Sequence, residues 1–173
     1  MDTRQLTKIA LCVALCCVAA YISFPLPFTP SYVTALTLTL GLTAFILPPK
    51  QTFIVILVYI LIGLVGIPVF AGQQGLAKLL GPSGGFYFTW LIAFPLLSMA
   101  KGAAPDFKRY AIADVLIAVP ITYVGGIISM MVVSEVSLSQ ALVMAVLPFI
   151  PGDIMKACAA AWLGVKLNRA LPK

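Results

Sequence analysis

The sequence has no histidine and very few charged residues. Only 9 % of its 173 residues are charged, eleven of them basic and five acidic. The absence of histidine removes the side chain that most often serves as a general base or a metal ligand. The four cysteines, which lie in apolar segments without a Cys-x-x-Cys pair, are interpreted as buried thiols. The composition therefore argues against a hydrolase or a metalloenzyme, and we expect no metal and no cofactor.

Apolar residues are correspondingly abundant, at 62 % of the chain, and the mean hydropathy is +1.10. A soluble fold must cover its core with polar residues, which this composition does not supply. A helix needs about 20 residues to cross a bilayer. We predict a single all-α membrane domain over residues 1–173, a bundle of six transmembrane helices in contact with lipid. The predicted spans are Leu6–Phe24, Val33–Leu47, Phe53–Ile67, Phe86–Ala100, Ile112–Val133 and Ile154–Leu167.

Basic residues are distributed unevenly between the predicted connections. With a cytoplasmic N-terminus, nine of the eleven fall on inner segments, and only Lys78 and Lys156 fall on outer ones. An excess of lysine and arginine on the inner side is typical of multi-pass membrane proteins. We therefore predict that both termini are cytoplasmic, and the net charge of +6 needs no nucleic-acid partner.

The first apolar segment has a second interpretation. Arg4 and Lys8 precede it, as in a signal peptide, and Val18-Ala19-Ala20 resembles a cleavage site. Removing the segment would leave an odd number of spans and disturb the charge asymmetry. We therefore favour a first membrane helix.

The predicted outer connections are rich in proline and glycine. Phe24–Tyr32 contains three prolines, and Ile67–Phe88 contains five glycines and two prolines. Irregular backbone is tolerated at membrane depth where it is buried in protein or lines a cavity. We expect both loops to fold back as caps over a ligand pocket. Lys78 in the longer loop either attracts an anion or is a solvated surface residue.

Two charged residues, Asp153 and Lys156, stand at the start of the last predicted span. Three positions apart on a helix, they share a face. A charge near the bilayer centre costs about 2.5 to 3.5 kcal/mol, so this placement needs a reason. One interpretation is an ion pair in which Asp153 caps the helix N-terminus, although that explains the lysine poorly. The other is a binding pocket at the outer face for a small ligand.

A third charged residue, Asp114, lies in the fifth predicted span. It lies close enough in sequence to Lys108 and Arg109, in the preceding basic loop, to pair with one of them. A proton-coupling acid would be expected at greater depth, so we predict a local ion pair.

Four stretches of the outer segments resemble one known family. They are LPFTP (Leu26–Pro30), GLVGIPVFAG (Gly63–Gly72), LLGPSGG (Leu79–Gly85) and LPFIPGDIMKA (Leu147–Ala157). In order, spacing and total length the chain resembles the BioY family, the biotin-binding membrane subunits, or S components, of energy-coupling-factor (ECF) transporters. The resemblance implies a six-helix protein of a prokaryotic cell membrane that captures biotin outside and releases it inward.

The resemblance also implies roles for individual residues. Asp153 would accept hydrogen bonds from the ureido N–H groups of biotin. Lys156 would donate to a ligand oxygen, either the carbonyl or the carboxylate. Glycines in the loop before Tyr87 would let backbone approach the ligand. The remaining ligand-binding candidates are Thr34, Gly72, Gln73, Gln74, Ser83, Gly84, Gly85, Phe86 and Tyr87.

The sequence departs from the family pattern at two of these candidates. The family's Thr-x-Gln step is here Thr34-Ala35-Leu36, which lacks the glutamine. Tyrosine often follows the Gly-Gly pair directly, whereas this chain has Phe86 and then Tyr87. The first departure weakens a ligand role for Thr34, and the second leaves open which ring contacts the vitamin.

The implied partners are a membrane T component and the ATPase subunits of an ECF module. The chain has no Walker motif, so ATP hydrolysis would come from those partners, and we do not expect an enzyme. Ala10 and Ala14 form a small-xxx-small step on the first helix that suits docking to the T component. Alternatives are an S component for another small vitamin, a membrane scaffold and a membrane enzyme.

Overall fold

The chain forms a bundle of helices with one short β-hairpin, and the computed structural model describes residues 2–72 and 74–170. The helices and strands are α1 (Thr3–Tyr21), β1 (Ser23–Pro25), β2 (Tyr32–Thr34), α2 (Leu36–Ile46), α3 (Pro49–Leu64), α4 (Gly75–Leu79), α5 (Gly84–Ala100), α6 (Phe107–Ala113), a π-helical segment (Asp114–Ala118), α7 (Val119–Ser134), α8 (Leu138–Ala145) and α9 (Ile150–Ala170).

Several helices have the length and composition of membrane spans. Among the described residues, α1 and the continuous helix Phe107–Ser134 qualify alone, and α8 with α9 qualifies as a pair bent by 46°. Helices α2, α3 and α5 are apolar but shorter. The outer surface of the bundle carries many exposed apolar side chains, such as Val65 at 80 % and Val132 at 72 % exposure. Such a surface suits contact with lipid, and the protein is a membrane protein.

The β-hairpin corrects the prediction of an all-helical chain. The first helix ends at Tyr21 instead of Phe24, because β1 pairs antiparallel with β2, with Pro25 opposite Tyr32. Proline has no N–H to donate, and it is tolerated in a short edge strand of this kind. The hairpin holds the proline-rich loop against the bundle.

Helix α8 was absent from the predicted elements. It begins with a capping box in which the Ser137 hydroxyl accepts from the Gln140 N–H, and Gln140 Oε1 accepts from the Ser137 N–H at 3.0 Å. The bend between α8 and α9 contains Pro148, and Asp153 lies just after it in the first turn of α9.

The predicted pairing of Asp114 with the basic loop is wrong. Asp114 is 4 % exposed, and no ion pair joins it to Lys108 or Arg109 within the described ranges. Arg109 instead donates from Nε to the Ala100 carbonyl at 3.1 Å. The π-helical segment turns Asp114 toward α2, where a Cβ on Gly41 would lie 2.7 Å from its Oδ2.

Close contact between α5 and α7 depends on a pair of glycines. A Cβ added at Gly85 would overlap the backbone of Gly125, and one added at Gly125 would overlap Gly85 and Thr89. Small residues allow membrane helices to approach closely and gain van der Waals contact. These glycines therefore set the spacing of α5 and α7.

We predict that Gly125→Ala destabilises the protein by about 1 to 3 kcal/mol, because the new methyl group must separate α5 from α7. Thermal unfolding in detergent measures this. Gly152→Ala, where an added Cβ meets nothing within 4 Å, is the matched control and should leave the unfolding temperature unchanged. Equal stability of the two variants would contradict the close-contact assignment.

Candidate functional site

A cavity that is partly open to solvent lies between β2, α2, α4, α5, α7 and α9, and the space free of protein atoms there, open solvent included, is about 580 Å³. Its lining residues come from segments far apart in the chain: Ser31, Tyr32, Thr34, Leu36, Thr37, Ala71, Lys78, Ser83, Phe86, Tyr87, Trp90, Thr122, Tyr123, Phe149, Asp153 and Lys156.

One wall of the cavity is aromatic. Tyr87 and Trp90 lie with ring centroids 4.6 Å apart, and Phe70 supports Tyr87 from behind at 4.7 Å. Tyr59 packs edge-on against Phe70, and its hydroxyl donates to the Val69 carbonyl at 2.8 Å. This stack attaches the long loop to α3 and α5, and it gives the cavity a flat apolar surface suited to a ring system.

The Asp153 carboxylate is the centre of a polar cluster on this cavity. Lys156 Nζ lies 2.5 Å from Oδ1, so the ion pair of the first interpretation is present, and it lies on the cavity that the second interpretation expects. The Tyr123 hydroxyl donates to Oδ2 at 2.8 Å, and the Thr37 hydroxyl donates to Oδ1 at 3.4 Å. Lys156 also donates to the Thr34 carbonyl at 3.2 Å. Helices α9, α2 and α7 thus hold the carboxylate, and β2 holds its lysine partner.

The helix-cap interpretation of Asp153 is not what the structure shows. Asp153 is the fourth residue of α9, and its own N–H donates to the Phe149 carbonyl at 2.8 Å. Within the described ranges, its side-chain oxygens accept only from Lys156, Thr37 and Tyr123, none of them through a backbone N–H. The carboxylate is therefore directed into the cavity and does not cap the helix.

Three buried polar atoms on the cavity have no hydrogen-bond partner within the chain. They are Ser31 Oγ, Trp90 Nε1 and Thr122 Oγ1, and no others of this kind occur among the described residues. An unsatisfied buried polar group costs about 1 to 3 kcal/mol, so the concentration of all three in one place is informative. Their hydrogen-bonding capacity is therefore unused at the cavity wall.

Lys78 also lies on the cavity, which contradicts its interpretation as a solvated surface residue. Its side chain is 5 % exposed and its ammonium stands 5.2 Å from the centre of the Tyr32 ring. Burial lowers the pKa of Lys78 to about 8, because the charged form loses its hydration.

A smaller cavity adjoins the first and shares four lining residues with it, Thr37, Thr122, Asp153 and Lys156. It extends from them to Asp114, which is buried between α2 and α9. The Asp153 cluster therefore stands at the junction of the two cavities.

The structure places six of the predicted ligand-binding residues on the cavity wall. Both Phe86 and Tyr87 contribute, so neither ring replaces the other. The six are Thr34, Ser83, Phe86, Tyr87, Asp153 and Lys156.

The predicted loop glycines instead pack protein against protein. A Cβ at Gly84 would overlap the Leu79 backbone, and Gly85 meets Gly125 as described above. Gly72 has a φ of +87° and lies against the Tyr32 ring. These glycines shape the cavity without lining it.

Neither of the two predicted glutamines is among the described residues that line the cavity. Gln74 is exposed beside α4, and Gln73 lies outside the described residues. Sequence reasoning missed Trp90, Thr122 and Tyr123. Trp90 stands one helical turn after Tyr87, a spacing that carried a usable signal, whereas Thr122 and Tyr123 lie in an apolar span without a motif.

The comparison with family models matches residues 1–173 to the BioY family. The chain belongs to the BioY family. Among curated relatives of this BioY-family chain, the biotin transporter BioY2 of Lactococcus lactis is 35 % identical over 96 % of this chain and 91 % of its own length. The probable biotin transporter BioY of Pyrococcus horikoshii is 35 % identical over 97 % and 98 %.

Solved structures with the same fold include a biotin protein. The S-component for biotin from an ECF-type ABC transporter, a crystal structure at 2.1 Å, superposes with a TM-score of 0.88 and 25 % identity over 98 % of this chain and 95 % of that one. The S component of a bacterial ECF transporter superposes with a TM-score of 0.63 at 16 % identity, which shows the shared fold alone.

We predict that Lys156→Met destabilises this BioY-family chain by about 3 kcal/mol, because it leaves the buried Asp153 carboxylate without its cation. The double variant Asp153→Asn/Lys156→Met should be more stable than Lys156→Met, since no charge is then buried alone. Thermal unfolding of the wild type, both single variants and the double variant measures the coupling. Additive losses would contradict a coupled pair.

Proposed function

We propose that this protein is the biotin-capturing S component of an ECF-type transporter and that Asp153 receives the ureido end of the vitamin. The observation that carries the proposal is a buried carboxylate aimed into an aromatic cavity in a chain of the BioY family. Members of such families bind a substrate for transport, and the protein is not an enzyme.

The chemistry of biotin fits the groups on the cavity. Biotin has a ureido group with two N–H donors and a carbonyl, a fused apolar ring system, and a carboxylate on a flexible chain. Asp153 offers an acceptor for the N–H groups, and the Lys156 ammonium, which has three N–H donors, offers one for the carbonyl. Tyr87 and Trp90 offer flat surfaces for the rings.

The Asp153 carboxylate retains capacity for ligand hydrogen bonds. A carboxylate has about four lone-pair sites. Lys156 and Thr37 occupy those of Oδ1, whereas Oδ2 accepts only from Tyr123 among the residues that the structure describes. One ligand N–H can therefore bind Oδ2 directly, and a second can replace the long contact from Thr37.

The membrane arrangement that we propose has six spans in a prokaryotic plasma membrane. The two long helices, the bent α8–α9 pair and the three shorter apolar helices together make six. The inner excess of basic residues supports cytoplasmic termini. The hairpin loop and the α3–α5 loop would then cap the cavity on the outer side through Tyr32 and Lys78.

The proposed partners are a membrane T component and ATPase subunits. Ala10 and Ala14 are exposed on α1, and Val18 continues the same face at 62 % exposure. A stripe of small residues lets a second membrane helix approach the backbone closely. We place the docking contact with the T component on this stripe.

We predict that Asp153→Asn weakens biotin binding by about 10- to 100-fold, because a charged acceptor becomes a neutral amide whose N–H groups oppose those of the ligand. Equilibrium binding of biotin to the detergent-purified protein measures this. The matched control is Asp106→Asn, at the exposed start of α6, where asparagine also caps helices well.

The control should bind biotin like the wild type. Wild-type protein that unfolds cooperatively yet binds no biotin would sink the assignment and point to another vitamin. Unchanged affinity in Asp153→Asn would remove Asp153 from the site while leaving biotin as the ligand.

We predict that Ala10→Trp and Ala14→Trp leave biotin affinity unchanged and abolish biotin uptake by cells that also express an ECF module, because the indole blocks helix approach. Leu15→Trp, at an exposed position of the same helix about 100° from Ala14 and 140° from Ala10, is the control and should retain uptake. Loss of biotin binding in Ala10→Trp would contradict a role confined to docking.

A further inference from the structure

We propose that Lys78 and Ser31 form a subsite for the carboxylate of the ligand, at the end of the cavity away from the junction with the smaller cavity. The inference rests on the proposed function and adds the orientation of the ligand. The position follows from the two cavity linings. Asp153 and Lys156 line both cavities, whereas Lys78 and Ser31 line only the larger one.

The Lys78 ammonium is buried without an anion. Within the described ranges it lies over the ring of Tyr32 and makes no hydrogen bond or ion pair. The acids of the chain are not available to it. Asp153 is paired with Lys156, and Asp114 lies at the smaller cavity. The other three acids, Asp2, Asp106 and Glu135, are exposed.

Contact with an aromatic ring does not account for this burial. A ring face attracts a cation, but it accepts none of the directed hydrogen bonds that the three ammonium donors can make. A buried charge without a partner is costly, and the cost is removed when an anion binds beside it. The arrangement therefore leaves the donors of the Lys78 ammonium available to an anionic group from outside the chain.

Ser31, which lines the same cavity, offers a second donor. Its hydroxyl is buried and unpartnered, and the residue directly precedes Tyr32, whose ring faces Lys78. An ammonium and a hydroxyl together suit the two oxygens of a carboxylate, and hydrogen bonds of this charged type are strong.

The subsite also assigns the two cavity lysines to different ends of the ligand. Lys156 is held beside the Asp153 carboxylate and the Thr34 carbonyl, so it belongs with the ureido group. Lys78 is separate from that cluster and free to bind the carboxylate. Charge at Lys78 thus selects a ligand with an anionic end.

The test compares biotin with biotinamide, in which a neutral amide replaces the carboxylate. Wild-type protein should bind biotin about 10- to 100-fold more tightly than biotinamide, the range expected for a charge-assisted hydrogen bond. Lys78→Met keeps the apolar stem and should lose this preference by weakening biotin binding alone. Lys78→Arg should retain part of the preference, and the exposed Lys50→Met is the control that should retain all of it.

The outcomes separate this inference from the proposed function. Wild-type protein that binds neither compound sinks the proposed function, and the subsite with it. Wild-type protein that binds both equally, or an unchanged preference in Lys78→Met, overturns the subsite and leaves biotin capture standing. If Lys78→Met binds neither compound, Ser31→Ala decides, because it removes one hydroxyl only. It should reduce the preference several-fold, and an unchanged preference overturns the subsite.

Discussion

The Asp153–Lys156 ion pair is the interaction on which the rest of the site depends. Both charges lie among apolar helices, where water cannot compensate a missing partner. The pair therefore requires donors and acceptors from other segments: Tyr123 from α7, Thr37 from α2 and the Thr34 carbonyl from β2. Satisfying the pair in this way brings α9 and α7 together with the consecutive elements β2 and α2, and the cavity lies where they meet.

Close packing of α5 against α7 positions the aromatic wall of the cavity. The glycine contact between α5 and α7 brings Tyr87 and Trp90 near Tyr123 without filling the space between them. The loop stack through Phe70 then holds the aromatic wall in position. A rigid apolar frame with a few unsatisfied polar atoms is a site prepared for a ligand that is apolar in the middle and polar at its ends.

Much of this was readable from the sequence, because the signals were local. Hydropathy located every long helix within a few residues, and the spacing of Asp153 and Lys156 predicted their ion pair. Local signals also misled at particular residues. Asp114 was assigned to the nearest cations along the chain, but the π-helical segment turns it toward α2. Gly84 and Gly85 were assigned to the ligand because glycine permits close approach, and the approach they permit is between parts of the protein.

The sequence by itself determined the membrane class, the family and the charged pair, since composition, motif order and helical periodicity are properties of neighbouring residues. Only the tertiary structure decided which groups share the cavity. Lys78, Ser31 and Thr122 carry no motif, and their burial and lack of hydrogen-bond partners among the described residues depend on how a hairpin, two loops and several helices pack together. Solvation and pairing are set by residues far away in the chain, so no local pattern could have distinguished a buried lysine on the cavity from a solvated one in a loop.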